Sequence, residues 1–508
     1  MFDIIKLAGA VRKIFSRKDA VLIASIIFIY FLTRLINLTS FPIFSDEGIY
    51  IHWAKIAWHD ATWRFISLTD GRQPLQTWAT IPFLKLFPDN ALFAGRLFGV
   101  FSGFLGLSGM FTLSYYLFGK RTAYNASLLY IITPFFLFFD RLALIDSLVN
   151  AGYIWIFFFS LLLVGTLRFD VALIFGFFSG MFLLSKSSVS IFLGLSFCAP
   201  LVVMRRNVQK NFRTIINYSI LFGIALIIAL LIYNIQRLSP FLHFVGEKNH
   251  TFVKTWDEFI HAPFSVVSGN LRYIPLHIMH NLGYTTFFIG IIGWFFIYKK
   301  NKLLAWYFFI WIFFPYIVMT FFMKVLYSRY FIFLLSPFII FTSFFLDRFS
   351  LRSRIWYGIF FLTFLFMLYF NYTVIFDYKK IPFLPDDRGQ YIEGMPSGYG
   401  IREIVNFVRS RSLVKPAIIV TSGNFGMTGD VLDIFLKRGD RISINAYWPL
   451  EEKNLIESQQ LLSTHSVYVV SPHIDKVPDT WPVQLLKKYD KPGKKSSLYF
   501  FQLTLKNE

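Results

Sequence analysis

Two adjacent carboxylates, Asp46 and Glu47, stand in Ser45-Asp46-Glu47-Gly48-Ile49-Tyr50, just after the first long apolar run, Ala20 to Leu38. Acids at a membrane face are costly unless they are solvated, paired or used. Placed there, they can act as general bases toward a hydroxyl or amine nucleophile. The ordinary alternative is that they open an interfacial helix, where negative charge suits the positive end of the dipole. Other polar residues recur at the ends of later apolar runs: Arg72 in Gly71-Arg72-Gln73-Pro74, Arg141 with Asp146 beyond it, Lys186, and Arg329-Tyr330. Cationic side chains of this kind can stabilise a departing phosphate. Taken singly, each is more often a solvated or snorkelling residue. The mixture of acids and cations at one set of span ends is what favours chemistry.

The elements that hold these residues are membrane spans. Of 508 residues, 56% are hydrophobic and 16% charged. Apolar runs of about 20 residues, the length that crosses a bilayer, recur through the first three quarters. Soluble helices would show polar stripes instead. The expected fold is a polytopic α-helical membrane protein with about 11 transmembrane helices, outer interfacial helices and a C-terminal soluble α/β domain. The formal charge of +21 does not point to nucleic acid, because Lys and Arg gather in short clusters between the runs. Lys6, Arg12, Lys13, Arg17 and Lys18 form the first, and Lys120-Arg121, Arg205 through Arg213, Lys299-Lys300-Asn301-Lys302 and the group around Arg348, Arg352 and Arg354 follow. That is the positive-inside pattern, and anionic lipid headgroups are the expected partners of the clusters. It puts the N-terminus in the cytoplasm of a plasma-membrane protein and the acidic pair outside. No small-residue cleavage signal follows the first run, so it reads as a retained span. The one cysteine, Cys198, allows no intrachain disulfide.

Two long outer segments result. The first, Thr39 to Asn90, carries Trp53, Trp58, Trp63 and Trp78, residues that favour the membrane interface. Its apolar stretch Leu75 to Phe87 is short for a span and ends at Pro88, so it is expected to lie along the surface. The second runs to about Tyr284 and holds His243, Lys248, His250, Glu258, His261 and His277, without a His-Glu-x-x-His or comparable ligand spacing. No metal ligand set is therefore assigned. From Ile381 the composition becomes that of a soluble domain, so residues 1–380 form the membrane part and residues 381–508 an extracytoplasmic domain. Helices are expected at Ile401–Val408, Val431–Leu436 and Glu451–Leu462. Strands are expected at Ala417–Thr421, Ile442–Tyr447, Val467–Val470 and Leu498–Leu505. Ser422-Gly423-Asn424-Phe425-Gly426 can hold an anion at a helix start, but it lacks a full dinucleotide or P-loop pattern and is read as an ordinary turn.

The order of Ser45–Tyr50, Gly71–Gln76, Arg96-Leu97, Arg141–Asp146, Lys186 and Arg329-Tyr330 around the spans resembles the GT-C superfamily of integral membrane glycosyltransferases. The branch is that of the protein O-mannosyltransferases and the lipid A aminoarabinose transferases. The resemblance covers the whole membrane part. It implies a polyprenyl-phosphate sugar donor, a hexosyl or pentosyl group moved by inverting displacement, and a lipid, glycan or protein acceptor in the cell envelope. By the same resemblance, Asp46 is the catalytic base or acceptor-orienting carboxylate, with Glu47 beside it and Asp146 as the second acidic position. Lys186 and Arg329 match cations that hold the donor phosphate, Arg72 lies near the loop motif, and Arg141 and Tyr330 support. Gln73-Pro74 departs from the His-Pro or Pro-Pro pairing of that loop. Some relatives use a divalent ion near the acidic loops, and none is expected to be obligatory here. The C-terminal domain does not match the MIR repeats of eukaryotic mannosyltransferases, which weakens a protein acceptor. The main rival is a multi-span lipid or glycan transporter or flippase, which would place ionisable residues or broken helices near the bilayer midplane. A third reading, a sensor anchored by its spans, uses far more spans than an anchor needs.

Overall fold

The computed structural model describes residues 16–204, 208–348, 354–423, 425–472, 478 and 480–505. The expected basic residues Lys6, Arg12, Lys13, Arg205, Arg206 and Arg352, and Asn424 of the glycine-containing turn, lie outside the described residues. The first described helix, α1 (Arg17–Leu35), starts at a capping box in which Ser16 and Asp19 exchange side-chain and backbone bonds. Two further helices follow, α2 (Ser45–His59) and α3 (Leu75–Leu86). The membrane part continues with α4 (Ala91–Phe118), α5 (Lys120–Ile132), α6 (Pro134–Phe139), α7 (Asp146–Thr166), α8 (Phe169–Leu183), α9 (Val189–Ser196) and α10 (Val208–Tyr233). After α11 (His243–Phe252) and α12 (Trp256–His261) come α13 (Val267–Leu282), α14 (Tyr284–Lys300) and α15 (Lys302–Phe322). A 3₁₀ turn, Ser328–Leu334, leads into α16 (Leu335–Arg348), and α17 (Arg354–Phe376) closes the series.

Five helices among the described residues are long and apolar enough to cross a membrane. They become six if α13 and α14, bent by 102° at Gly283, count as one. Several runs that the sequence presents as single spans are divided. The run ending at Phe139 is split because Thr133 precedes Pro134 and takes an extended backbone (ψ 117°), the conformation that a following proline imposes. The result is the expected class, a polytopic helical membrane protein with a C-terminal sheet domain, while five or six helices among the described residues, against the expected 11 or so, have the length and apolarity of a span.

Buried polar side chains bolt the end of α1 to the segment before α7. Arg141 donates from Nη1 to the carbonyls of Thr33, Arg34 and Ile36, and from Nη2 to that of Asn37, all within 3.0 Å. These are orphan acceptors at the end of α1. Arg34 and Asp140, both fully buried, pair at 3.3 Å, and Ser147 donates to the other Asp140 oxygen at 2.8 Å.

The C-terminal domain is a five-stranded sheet in the order β2-β1-β3-β5-β4. Its strands are β1 (Ala417–Ser422), β2 (Ile442–Tyr447), β3 (Ser466–Ser471), β4 (Val483–Asp490) and β5 (Ser497–Leu503). β1 pairs in parallel with β2 and β3, whereas β5 runs antiparallel to β3 and β4. Helices α18 (Ile401–Ser412), α19 (Gly429–Ile434) and α20 (Glu452–Gln459) accompany it. The edge strand β4 is absent from the sequence-based expectation, because Val-Gln-Leu-Leu-Lys-Lys-Tyr-Asp lacks alternation and is mostly exposed.

This domain docks on α2. A Cβ on Gly48 would meet Val431 Cγ2 at 2.5 Å and the Val431 backbone at 3.3 Å, so the contact requires glycine. Beside it, His52 Nδ1 faces Asp433 at 2.8 Å, His52 Nε2 faces Asp430 at 3.6 Å, and Lys55 donates to Asp433 at 2.7 Å. Burial alone would lower the His52 pKa, but Asp433 and Asp430 outweigh it and raise it. Burial, partly offset by His52, pushes Asp430 up to about 6. Burial also acts upward on Asp433, but His52 and Lys55 prevail and hold it at about 2. Groups with raised pKa values favour docking at lower pH, and that contribution fades as pH rises through their folded values; Asp433 contributes at higher pH and loses it on acidification. Docking is therefore expected to loosen as pH rises above about 6 to 7. Hydrogen exchange of α2 and α19 followed between about pH 5 and 8.5, across the ordinary histidine range, checks this. His52→Asn should flatten the profile.

Candidate functional site

A cavity of about 700 Å³ is lined by residues of α2, α11 and α15 and of the segments around Arg72, Asp146, Lys186 and Arg329. Asp46 reaches it from the first turn of α2, a helix fixed at its start by the Ser45 N–H donating to the Pro396 carbonyl at 2.9 Å. Arg329 Nη2 donates to Asp46 Oδ2 at 2.8 Å, and Arg72 Nη1 lies 3.7 Å from the same oxygen. Burial pushes the Asp46 carboxyl up, and the Arg72 and Arg329 guanidinium groups more than offset that, holding it below the usual carboxylate range. Arg72 also donates to the Tyr50 hydroxyl at 2.8 Å and to Asp70 at 3.0 Å. Lys248 donates to the other Asp70 oxygen at 2.7 Å. The turn presenting Arg72 depends on Gly71, whose φ of +66° is left-handed and whose Cβ would lie 2.3 Å from the Phe244 carbonyl oxygen.

On another wall, Lys186 Nζ donates to Asp146 Oδ1 at 3.1 Å and sits 4.3 Å over the Tyr330 ring. Lys186 belongs to the link between α8 and α9, and Asp146 is the first residue of α7. Gln73 donates to the Ser187 hydroxyl at 2.6 Å, tying the Arg72 loop to the Lys186 link. The same cavity is also lined by apolar side chains, among them Ile191, Phe192, Val318, Met319, Phe322 and Phe333. The cavity thus brings charged and hydrophobic side chains together.

Asp46, Arg72, Asp146, Lys186, Arg329 and Tyr330 are all brought to this cavity. Glu47 and Arg141 are not, and their expected roles need correction. Successive helix residues point about 100° apart, so Glu47 turns into the protein and is fully buried. Its carboxylate is taken up bidentately by Arg96, at 2.9 and 2.8 Å, and accepts the N–H groups of Phe44 and Ala143 at 3.0 and 2.8 Å. Arg96 in turn donates to the carbonyls of Leu38, Phe41 and Pro42. Glu47 therefore fastens α2 to the segment before Asp146. Arg141 caps α1 as described above.

Sequence reasoning passed over Tyr50, Lys248 and Lys254, which also line the cavity. Tyr50 lies one helical turn beyond Asp46, a spacing that gives a usable signal. Lys254, buried, donates to the Ala262 carbonyl at 2.6 Å, and its place among many loop charges gives none.

Among the described residues, no group of three or more His, Cys, Asp or Glu side chains is gathered as a metal site. The two cavity carboxylates already face cations. This donor set does not fit a divalent ion, and no step is derived through one.

No protein-family model matches the chain, and no curated protein matches it in sequence. Solved structures do match in fold. ArnT from Cupriavidus metallidurans in the apo state has a TM-score of 0.61 at 14% identity, over 95% of this chain and 97% of that one. ArnT bound to undecaprenyl phosphate gives 0.58 at 14% identity over the same shares. The apo oligosaccharyltransferase of Archaeoglobus fulgidus gives 0.50 at 14% identity, over 89% of this chain and 69% of that one. The chain therefore shares the fold of the solved ArnT structures over nearly its whole length.

Proposed function

We propose that the protein is a glycosyltransferase that moves a sugar from a polyprenyl-phosphate-linked donor to a cell-envelope acceptor. The carrying observation is that Asp46, Arg72 and Arg329 meet at 2.8–3.7 Å in a cavity that also has many apolar lining residues. A lipid-linked phosphate needs that combination, cations for the phosphate and hydrocarbon contact for the lipid. The solved ArnT structure bound to undecaprenyl phosphate, of the same fold, supports the donor class.

The acceptor's hydroxyl or amine attacks the anomeric carbon from the side opposite the phosphate. The new bond forms as the carbon–oxygen bond to phosphate breaks, and polyprenyl phosphate leaves with the electron pair. The configuration inverts. Asp46 receives the proton that the acceptor loses. With the cavity's cations turned on it, Asp46 is a weak base. A donor phosphate competes for Arg329 and Arg72, and the carboxylate gains basicity as their hold weakens. Asp146, paired with Lys186, orients acceptor or sugar, while Lys186 and Arg329 hold the phosphate. The acceptor is a lipid, glycan or protein of the extracytoplasmic face, with the N-terminus cytoplasmic and the C-terminal domain outside.

Lys186→Ala and Arg329→Ala should each raise the KM for the lipid-linked donor by roughly ten-fold or more, the scale of a lost charge-assisted hydrogen bond. Steady-state kinetics with a polyprenyl-phosphate sugar check this, and an unchanged donor KM removes that residue from the phosphate site. Chelation should leave transfer unchanged. Loss of activity restored by one metal would overturn that expectation.

A further inference from the structure

Behind Arg329, on the side away from the cavity, lies a buried cluster that the transfer reaction does not use. Asp387, 1% exposed, sits on the helical turn Pro385–Arg388, in the connector between α17 and the sheet domain. Its Oδ1 accepts from the Ser328 hydroxyl at 2.5 Å. Ser328 immediately precedes Arg329 and opens the 3₁₀ turn that presents it. The other oxygen, Oδ2, faces Nδ1 of His277 at 3.3 Å, and His277 is itself 1% exposed, with Tyr273 packed over its ring at 4.0 Å. Among the described residues, neither of those two facing atoms has another hydrogen-bond partner. A buried carboxylate is costly unless paired, so the connector commits one to this place.

The same connector grips the other half of the site. Beyond Asp387, Tyr391 packs its ring 4.9 Å from that of Phe44, and the Arg329 guanidinium lies 5.1 Å over the same Phe44 ring. Pro396 accepts the Ser45 N–H, and the Gly398 N–H donates to the Ile43 carbonyl at 2.7 Å. The connector's far end is tied to the C-terminal hairpin. Lys491 donates to the carbonyls of Gly394 and Met395 at 3.0 Å, and Ser496 donates to that of Glu393 at 2.8 Å. One short segment thus sets both Asp46 and Arg329 and is itself set by the C-terminal domain.

We propose that Asp387, backed by His277, is a positioning residue. Through Ser328 it fixes the turn that aims Arg329 at the donor phosphate, so that the C-terminal domain's connector tunes donor affinity. This rests on the reading of Arg329 as a phosphate-binding residue. Fixing Ser328 from behind matters because Arg329 Nε is buried without a hydrogen-bond partner among the described residues. Within its own side chain, the hydrogen bond that anchors Arg329 is the Asp46 contact, which donor binding disturbs.

The test is donor kinetics on the full-length purified protein with a polyprenyl-phosphate sugar. Asp387→Ala and Ser328→Ala should each raise the donor KM by roughly ten-fold, the scale of one lost hydrogen bond to a charged group, with much smaller loss of kcat. Ser328→Ala deletes one hydroxyl and keeps the question answerable if Asp387→Ala does not fold. Combined with Arg329→Ala, neither should raise the KM further, since the group they position is gone. Asp387→Glu should recover part of the affinity. A donor KM unchanged in both single variants while Arg329→Ala raises it overturns the positioning role alone. An unchanged KM in Arg329→Ala overturns the phosphate-site reading beneath it. Fully additive double variants would make the cluster merely structural.

Discussion

Replacing Asp46 with asparagine is expected to abolish most transfer, by roughly 10²–10⁴-fold in kcat, the range removed with a general base. The substitution is nearly isosteric, so α2 should keep its place. What changes is charge. Asp46 shares one oxygen between Arg329 at 2.8 Å and Arg72 at 3.7 Å, and a neutral amide in its place would neither accept a proton nor compete for those cations. Donor binding should therefore persist or tighten while turnover collapses. That split separates loss of chemistry from loss of the site. Initial rates and donor affinity measured on the same purified variant check it, and parental turnover would remove Asp46 from the reaction.

The second large effect concerns stability. Glu47 and Arg96 are both fully buried and paired bidentately. Removing one partner of a buried pair leaves an uncompensated charge, at a cost of about 3–5 kcal/mol. Arg96→Ala or Glu47→Ala should therefore depress thermal stability strongly, and transfer with it. Arg96→Ala also strands the carbonyls of Leu38, Phe41 and Pro42, and Glu47→Ala strands the N–H groups of Phe44 and Ala143. Replacing both charged side chains with glutamine should cost less than either truncation, because no lone charge remains. Thermal unfolding in detergent, read alongside activity, distinguishes these variants from Asp46→Asn, which should lose turnover with a smaller loss of stability, because the amide oxygen still accepts from Arg329 and the site is partly exposed.

The same pair of residues marks how much of the molecule was legible in the sequence. Adjacent acids look alike in a sequence, yet Asp46 lines the cavity and Glu47 faces the core. The helical turn between neighbouring residues separates them, but only the packing of Arg96 decides which of the two points inward. The fold class was readable because a bilayer demands long apolar runs. Arg72, Lys186 and Arg329 were recoverable as charges at span ends, where a solvated residue and a working one still look the same. Their meeting in one cavity depends on contacts between distant positions, 283 apart for Asp46 and Arg329, and periodicity carries no such information. The division at Thr133–Pro134 and the bend at Gly283 were less legible, because a hydropathy run does not record where the backbone turns. Asp387 was hidden for another reason. The composition change at Ile381 suggests a soluble domain, yet Ile381, Phe383, Tyr391 and Ile392 are buried in the membrane part's core. A carboxylate in that connector gains its surroundings only from the fold.

The most direct test of lipid-linked sugar transfer is to incubate the purified protein with a panel of polyprenyl-phosphate sugars and cell-envelope extract, then analyse the products by mass spectrometry. The expected result is a glycosylated envelope product together with released polyprenyl phosphate, both absent with Asp46→Asn. If no donor in the panel is consumed by protein that is folded and binds polyprenyl phosphate, or if Asp46→Asn forms product at the parental rate, then transfer through this site is contradicted.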